Sequence, residues 1–291
     1  MTLFAQFIIN GIITGILYGL SALGFALVYN TTRIFHIAAA ALYVAAAYLF
    51  YYAHARLGLP LWISGLLAAA GTAGLSVLIE LAVYKPLYQR HSSLNVVMIA
   101  SIGVMIILIN IIALIFGNET KVLDNSIQPV FRIGEIIVTR PQMLQAVVGI
   151  LLMTAFFLFL RCSKFGLKTR ALSNDAALFE VLGFNTSSTR IWVFTLSGVF
   201  LAAGSCLTAY DVGMNPHVGM AVLINAMVAM IIGGVGRFSA CALGGVLLGV
   251  LQALVVYRFS ANWQNAIAFL VLLLFLFFRP QGILGYKKRT V

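Results

Sequence analysis

The chain has 291 residues, 62% of them hydrophobic and only 9% charged, with a formal net charge of +11. A soluble domain carries about 25% charged residues, so a water-covered surface is excluded and lipid must serve as solvent. The Lys and Arg residues sit in short loops between apolar runs rather than in one patch, which argues for membrane orientation and against nucleic acid as a partner.

A spanning helix needs about 20 apolar residues. Nine segments approach that, roughly 7–29, 37–53, 61–84, 94–116, 142–160, 190–210, 218–235, 240–257 and 263–279. The second is short and Ala-rich. The seventh and eighth are separated only by GGVGR. The expected fold is therefore an all-α polytopic membrane bundle of eight or nine transmembrane helices in a single domain, 1–291.

The first run lacks a preceding basic stretch and is too long for a signal h-region, so it reads as a retained span. It carries Gly11, Gly15 and Gly19 at four-residue intervals, a flat stripe on which another helix can approach closely. Gly245 and Gly249 repeat that spacing in the eighth run, and Gly233, Gly234 and Gly236 shape the tight turn before it. All eight glycines are expected to serve close helix packing.

Basic residues set the orientation. Loop 161–190 holds Arg161, Lys164, Lys168, Arg170 and Arg190, and the tail holds Lys287, Lys288 and Arg289. Both are expected in the cytoplasm, as are loop 85–92 and the short loop at Arg33. Loop 117–140 then falls outside. Its FRIGEIIVTR segment predicts a small hairpin turning at Gly134. With nine spans the N-terminus is external.

Catalytic signatures are missing. Nothing matches G-x-x-x-x-G-K-[ST], H-E-x-x-H or G-x-S-x-G. GGVGRFS lacks the phosphate-loop lysine and reads as a packing turn. The cysteines (Cys162, Cys206, Cys241) and the histidines (His36, His54, His91, His217) show no ligand spacing. No catalytic, cofactor or metal residue is expected. Acidic groups inside spans are scarce too. Glu80 stands about one turn from an edge and reads as a snorkelling or loop-paired residue, and Asp211 marks the other edge. Asn110, Ser197, Ser205, Thr208 and Asn225 read as hydrogen bonders between helices, so substrate contacts are unassigned. A chain without an evident internal engine takes energy from a partner, or else is a self-sufficient channel or secondary carrier.

One polar stretch breaks the pattern. In RALSNDAALFEVLGFNTSSTR (170–190), Ser173, Asn174 and Asp175 are candidate N-caps and Gly183 a candidate C-terminal stop. Leu178, Val181 and Leu182 share one face. The segment predicts a short amphipathic helix that either packs on its own bundle or docks a partner. If it docks, the Asp175, Phe179, Glu180 side is expected to face the partner, leaving the apolar side to hold the bundle.

Several motifs together resemble the membrane-spanning permeases of bacterial ABC importers for branched-chain amino acids, with the related urea and short-chain amide permeases. They are YGLSALGFALVYNTTRI (18–34), YKPLYQR (84–90), ASIGVMIILINIIALIFG (100–117), RALSNDAALFEVLGFN (170–185), NPHVGM (215–220), IIGGVGRFSACALGGVLLG (231–249) and FRPQGILG (278–285). The resemblance covers nearly the whole chain. It implies a permease subunit without its own ATPase site, in the bacterial inner membrane. Its implied partners are a second, related permease chain, two cytoplasmic ATPases that bind ATP and Mg, and an external solute-binding protein. It further implies that Asn174, Asp175, Ala177, Phe179, Glu180 and Gly183 belong to an ATPase-coupling helix. The sequence departs from the family where N-F-A-H-G-E is usual: here IFHIAAAALY (34–43) replaces the Gly-Glu pair with Ala40 and Ala41.

Overall fold

The computed structural model describes residues 2–123, 130–133, 136–279 and 281–284. Every apolar run of the sequence carries a helix. These are α1 (Thr2–Thr32), α2 (Ala39–Tyr51), α3 (Leu61–Ile79), α4 (Lys85–Gln89), α5 (Leu94–Phe116), α6 (Arg140–Cys162), α7 (Lys164–Asn174), α8 (Ala176–Val181), α9 (Thr186–Val212), α10 (Val218–Gly233), α11 (Phe238–Arg258) and α12 (Gln264–Phe278). A π-helical turn, Glu80–Tyr84, joins α3 to α4, and another, Tyr52–Arg56, ends α2. Strands β1 (Val130–Ile133) and β2 (Ile136–Thr139) pair antiparallel, with Val130 opposite Thr139. The predicted turn at Gly134 lies outside the described residues.

Seven helical segments among the described residues are long and apolar enough to cross a bilayer. The α2 and α10 helices are shorter, 13 and 16 residues, or about 20 and 24 Å at 1.5 Å per residue. Both fall short of a hydrocarbon core of about 30 Å. Each follows a non-helical segment, 33–38 before α2 and 213–217 before α10. Irregular backbone at membrane depth is tolerated only where protein buries it or a cavity hydrates it.

The chain forms two compact units. One comprises residues 1–26, 124–154 and 221–291, and the other 27–123 and 155–220. In the first, the glycine stripes face each other. A methyl group on Gly245 would stand 2.6 Å from the Gly19 Cα, and one on Gly15 2.6 Å from the Val246 Cα. Gly11 lies against Ala253 and the Gly249 carbonyl. A side chain on Gly233 would collide with the Ala240 carbonyl, so α10 and α11 turn back on each other tightly. Gly234 and Gly236 have φ of 126° and 96°, a region that suits glycine. The Ile283 and Leu284 amides bond the Ile232 and Gly233 carbonyls, which seats the chain's last described segment on this turn.

The second unit is built around α2. Eleven of its thirteen residues are buried. Its alanines let α3 and α9 approach closely, as small residues do in membrane bundles. The Tyr43 hydroxyl meets the Thr208 hydroxyl at 2.9 Å, and Ser205 donates to the Tyr43 carbonyl. In α9, Gly198 packs on α3, where an added methyl would lie 2.8 Å from the Ala73 Cα. Ser76 donates to the Phe194 carbonyl at 2.8 Å. Gly219, at the start of α10, lies close against the Ala40 carbonyl and the Val44 side chain of α2.

The loops of this unit sort by end. Arg33 donates to the Ser173 carbonyl, Ser173 donates to the Asn30 carbonyl, and Tyr88 reaches Glu180. The basic segments near 33, 88 and 173 therefore share one end. At another point of the unit, Lys121 and Met214 exchange both backbone hydrogen bonds at 2.8 Å, joining segment 117–123 to segment 213–217.

Candidate functional site

The end that gathers the basic loops also carries α7 and α8. Ser163 caps α7 by accepting from the Gly166 amide, and α7 ends at Asn174. Ser173 and Asn174 thus belong to the last turn of α7, and the cap of the next helix is Asp175 alone. Its carboxylate accepts the Leu178 amide at 3.0 Å. The expected short helix is α8, and the extended backbone of Asp175 (φ −152°, ψ 106°) ends α7 and begins it. Ala177 lies in α8. Gly183 comes next with φ of 81°, and Asn185 caps α9 by accepting the Ser188 amide.

The orientation of α8 corrects the sequence reading. Leu178, Val181 and Leu182 are 56, 83 and 63% exposed, while Phe179 is 2% exposed. The aliphatic face points outward and Phe179 is the residue that packs inward, its ring stacked 5.0 Å from Phe184. The reason is area. On a helix of six residues one aromatic ring buries more apolar surface than any single aliphatic neighbour. Asp175 and Glu180 are exposed at the flanks.

Beneath α8 lies a cleft of about 260 Å³. Glu80 sits at its floor, where the π-helical turn adds a residue to the helix and rotates the residues beyond it; such turns recur at functional sites. Glu80 does not snorkel. It is 2% exposed and accepts two hydrogen bonds from Arg190, Nε at 2.6 Å and Nη2 at 3.1 Å. The guanidinium also stands 4.7 Å from the centre of the Tyr88 ring, within reach of a cation–π attraction. The Tyr88 hydroxyl donates to Glu180 at 3.4 Å. A continuous polar path therefore runs from α8 through Tyr88 and Arg190 to Glu80 at the end of α3.

The other end of the π-helical turn is tied as well. The buried Tyr84 hydroxyl donates to Ser101 at 2.7 Å and lies 2.8 Å from His36 Nδ1. Ser101 in turn accepts the Ala38 amide at 2.9 Å. One helical turn thus holds α9 through Glu80 and the start of α2 through Tyr84.

Sequence reasoning missed Tyr88, Tyr84 and Ser101 as parts of this network, and read Arg190 only as an orienting charge. One signal was available: Glu80 is an acid in an apolar run, and a buried carboxylate requires a cation. Of the polar span residues, Asn110 bonds its own helix at the Ile106 carbonyl. Ser205 and Thr208 bond Tyr43, and Asn225 accepts from Gln252 at 3.1 Å.

Residues 7–276 match the family described as branched-chain amino acid transport system, permease component. The high-affinity branched-chain amino acid transport system permease protein BraD of Pseudomonas aeruginosa is 30% identical, over 97% of this chain and 96% of its own length. The corresponding LivH of Escherichia coli strain K12 is 29% identical over the same shares. A solved structure, PsaBC from Streptococcus pneumoniae in complex with Fab, contains a chain of similar fold. Its TM-score is 0.53 with 14% identity, covering 93% of this chain and 91% of that one. The seven long apolar helices and the match over nearly the full length lead to one conclusion: this chain belongs to the branched-chain amino acid permease family and is a multi-pass inner-membrane permease subunit of an ABC importer.

Proposed function

We propose that this subunit moves branched-chain amino acids into the cytoplasm, receiving them from an external binding protein. We further propose that α8 couples the motion to ATP hydrolysis in two partner ATPases. The observation that carries the coupling role is the outward face of α8, where Leu178, Val181 and Leu182 are exposed on a capped helix. Apolar residues projecting from a polar loop fit a groove on a soluble partner. The path Glu180–Tyr88–Arg190–Glu80 then carries displacement of α8 into the membrane helices. ATP and Mg bind in the partner chains, and this chain holds no cofactor. A second, related permease completes the pathway. The substrate assignment rests on what the similar permeases are named for.

We propose nine crossing segments, the seven long apolar helices together with the shorter α2 and α10. The loops at Arg33 and Tyr88 share an end, so α3 returns across what α2 and its following turn carry out. The basic loops then face the cytoplasm, the hairpin of β1 and β2 faces outward, and the N-terminus lies outside with the C-terminus inside.

Uptake of labelled leucine in a strain deleted for this chain, with and without complementation, tests the substrate. Competition by isoleucine and valine, and none by urea or short amides, is expected. Competition by amides alone would reassign the substrate. Leucine flux through the purified single chain in liposomes, without ATP or partners, would replace the importer reading with a self-sufficient carrier.

A further inference from the structure

Where α6 ends and α9 begins, a second cleft of about 410 Å³ opens. Its walls are mainly apolar, Phe159, Phe165, Trp192 and Leu196, with the hydroxyl residues Ser188 and Thr189 beside them. The Phe159 and Phe165 rings stack 5.8 Å apart at 30°. Lys164 and Lys168 stand in the lining, which contains no acidic residue. Neither lysine has a carboxylate partner, because the one ion pair among the described residues joins Arg190 to Glu80. Among the described residues Lys168 approaches an aromatic face, its Nζ 5.8 Å from the centre of the Phe184 ring. The neighbouring Arg170 is already engaged by the Gly166 and Leu160 carbonyls.

The position of the cleft decides what fits it. Phe159 is one turn from the end of a spanning helix, and Trp192 is about two turns inside another. Trp192 is 58% exposed, and an exposed Trp near the end of a spanning helix suits the headgroup region. The cleft therefore presents two unpaired ammonium groups at the headgroup level and an aromatic wall running into the hydrocarbon. A soluble anion has no use for the wall, and a zwitterionic lipid leaves one positive charge opposed to the lysines. We propose that this cleft binds an anionic phospholipid, its phosphate between Lys164 and Lys168 and one acyl chain along Trp192 and Leu196. The proposal rests on α6 and α9 spanning the membrane and not on the docking role of α8.

Trp192 is a built-in reporter. The full chain carrying Trp62→Phe and Trp263→Phe keeps Trp192 as its sole tryptophan. It is reconstituted into vesicles containing brominated phosphatidylglycerol or brominated phosphatidylcholine, and quenching of its fluorescence is read. At about 1 kcal/mol per lysine near an anionic headgroup, the preference for phosphatidylglycerol is expected to be roughly 10- to 30-fold. Added Lys164→Gln and Lys168→Gln should bring that preference to near unity while phosphatidylcholine still quenches, which shows the chain remains inserted. Glycerol 3-phosphate should not displace the lipid. Equal quenching by both lipids, or a preference that survives loss of both lysines, would overturn the proposal. Displacement by glycerol 3-phosphate would make this a phosphate site and not a lipid site. Trp192 shielded from both lipids would mean that protein covers the wall.

Discussion

Arg190 and Glu80 form a two-pronged ion pair inside the protein, with Nε 2.6 Å from Oε1 and Nη2 3.1 Å from Oε2. Each partner is almost fully buried. A buried pair of this kind contributes little net stability over apolar residues of similar shape, yet removing one partner strands a charge, at about 3–5 kcal/mol. Glu80→Ala and Arg190→Ala are each expected to destabilise the purified chain by that amount. Glu80→Leu with Arg190→Met should recover most of the loss. Thermal unfolding in detergent measures all three, and single losses that simply add in the double variant would show that the two side chains are not coupled.

Tyr88 makes two separable contacts, the ring with Arg190 and the hydroxyl with Glu180. Tyr88→Phe removes the second and keeps the first. A single hydrogen bond is worth about 0.5–1.5 kcal/mol, and this one is long and exposed, so the lower end applies. If the hydroxyl transmits motion from α8, Tyr88→Phe lowers uptake per ATP hydrolysed by about two- to threefold, the rate equivalent of roughly 0.5 kcal/mol. The melting temperature should stay unchanged. Tyr88→Ala also loses the cation–π contact and should lower the melting temperature as well. Full coupling in Tyr88→Phe would leave Glu180 out of the transmission path.

The glycines of α1 and α11 offer a matched control. Gly245 has the Gly19 Cα 2.6 Å from where a methyl would stand, whereas nothing lies within 4 Å of a methyl on Gly65. The neighbour at Gly245 is backbone, which yields only by moving a helix. Gly245→Ala should therefore destabilise by about 1–3 kcal/mol, and Gly65→Ala should stay within about 0.5 kcal/mol of the parent. Equal effects in unfolding measurements would indicate that the two helices sit further apart than the structure has them.

What could be read from the sequence was what depends on period and composition. Glycines four residues apart declared a close helix contact before its partner was known, and Gly245 and Gly249 proved to supply that partner. The GGVGR turn and the FRPQGILG tail, distant in sequence, are joined because Gly282 packs on Gly234, where a methyl would stand 2.5 Å from the Cα. Their spacing along the chain gives no sign of that. The Arg190–Glu80 pair spans 110 positions and depends on how α3 and α9 cross, which no local pattern encodes. The two short helices were legible as apolar runs, but their lengths depend on where the non-helical segments 33–38 and 213–217 stop. The inward face of α8 was lost for another reason. Six residues make fewer than two turns, too few for periodicity to set a direction, and the Phe179–Phe184 stack decides it.

That stack separates holding from the proposed docking, and two substitutions, Phe179 in α8 and Leu182 at its C-terminal cap, test the separation. Leu182 is 63% exposed and contributes to the outward face; Phe179 is 2% exposed and holds α8 to the loop. On the proposed docking, Leu182→Glu places a charge where an apolar partner groove would close over it. A charge buried without a partner costs several kcal/mol, enough to abolish co-purification of the ATPase subunits. The chain itself should keep its yield and melting temperature, since the new side chain points to solvent in the free subunit. Phe179→Ala acts in reverse. It removes a buried ring at about 3–5 kcal/mol, so protease cutting within 175–185 should rise sharply before any loss of membrane insertion. Val181→Asp serves as a second probe of the outward face and should reproduce Leu182→Glu. Retention of the ATPases by both charged variants, together with loss in a Glu180→Arg variant, would return docking to the polar flank of the helix.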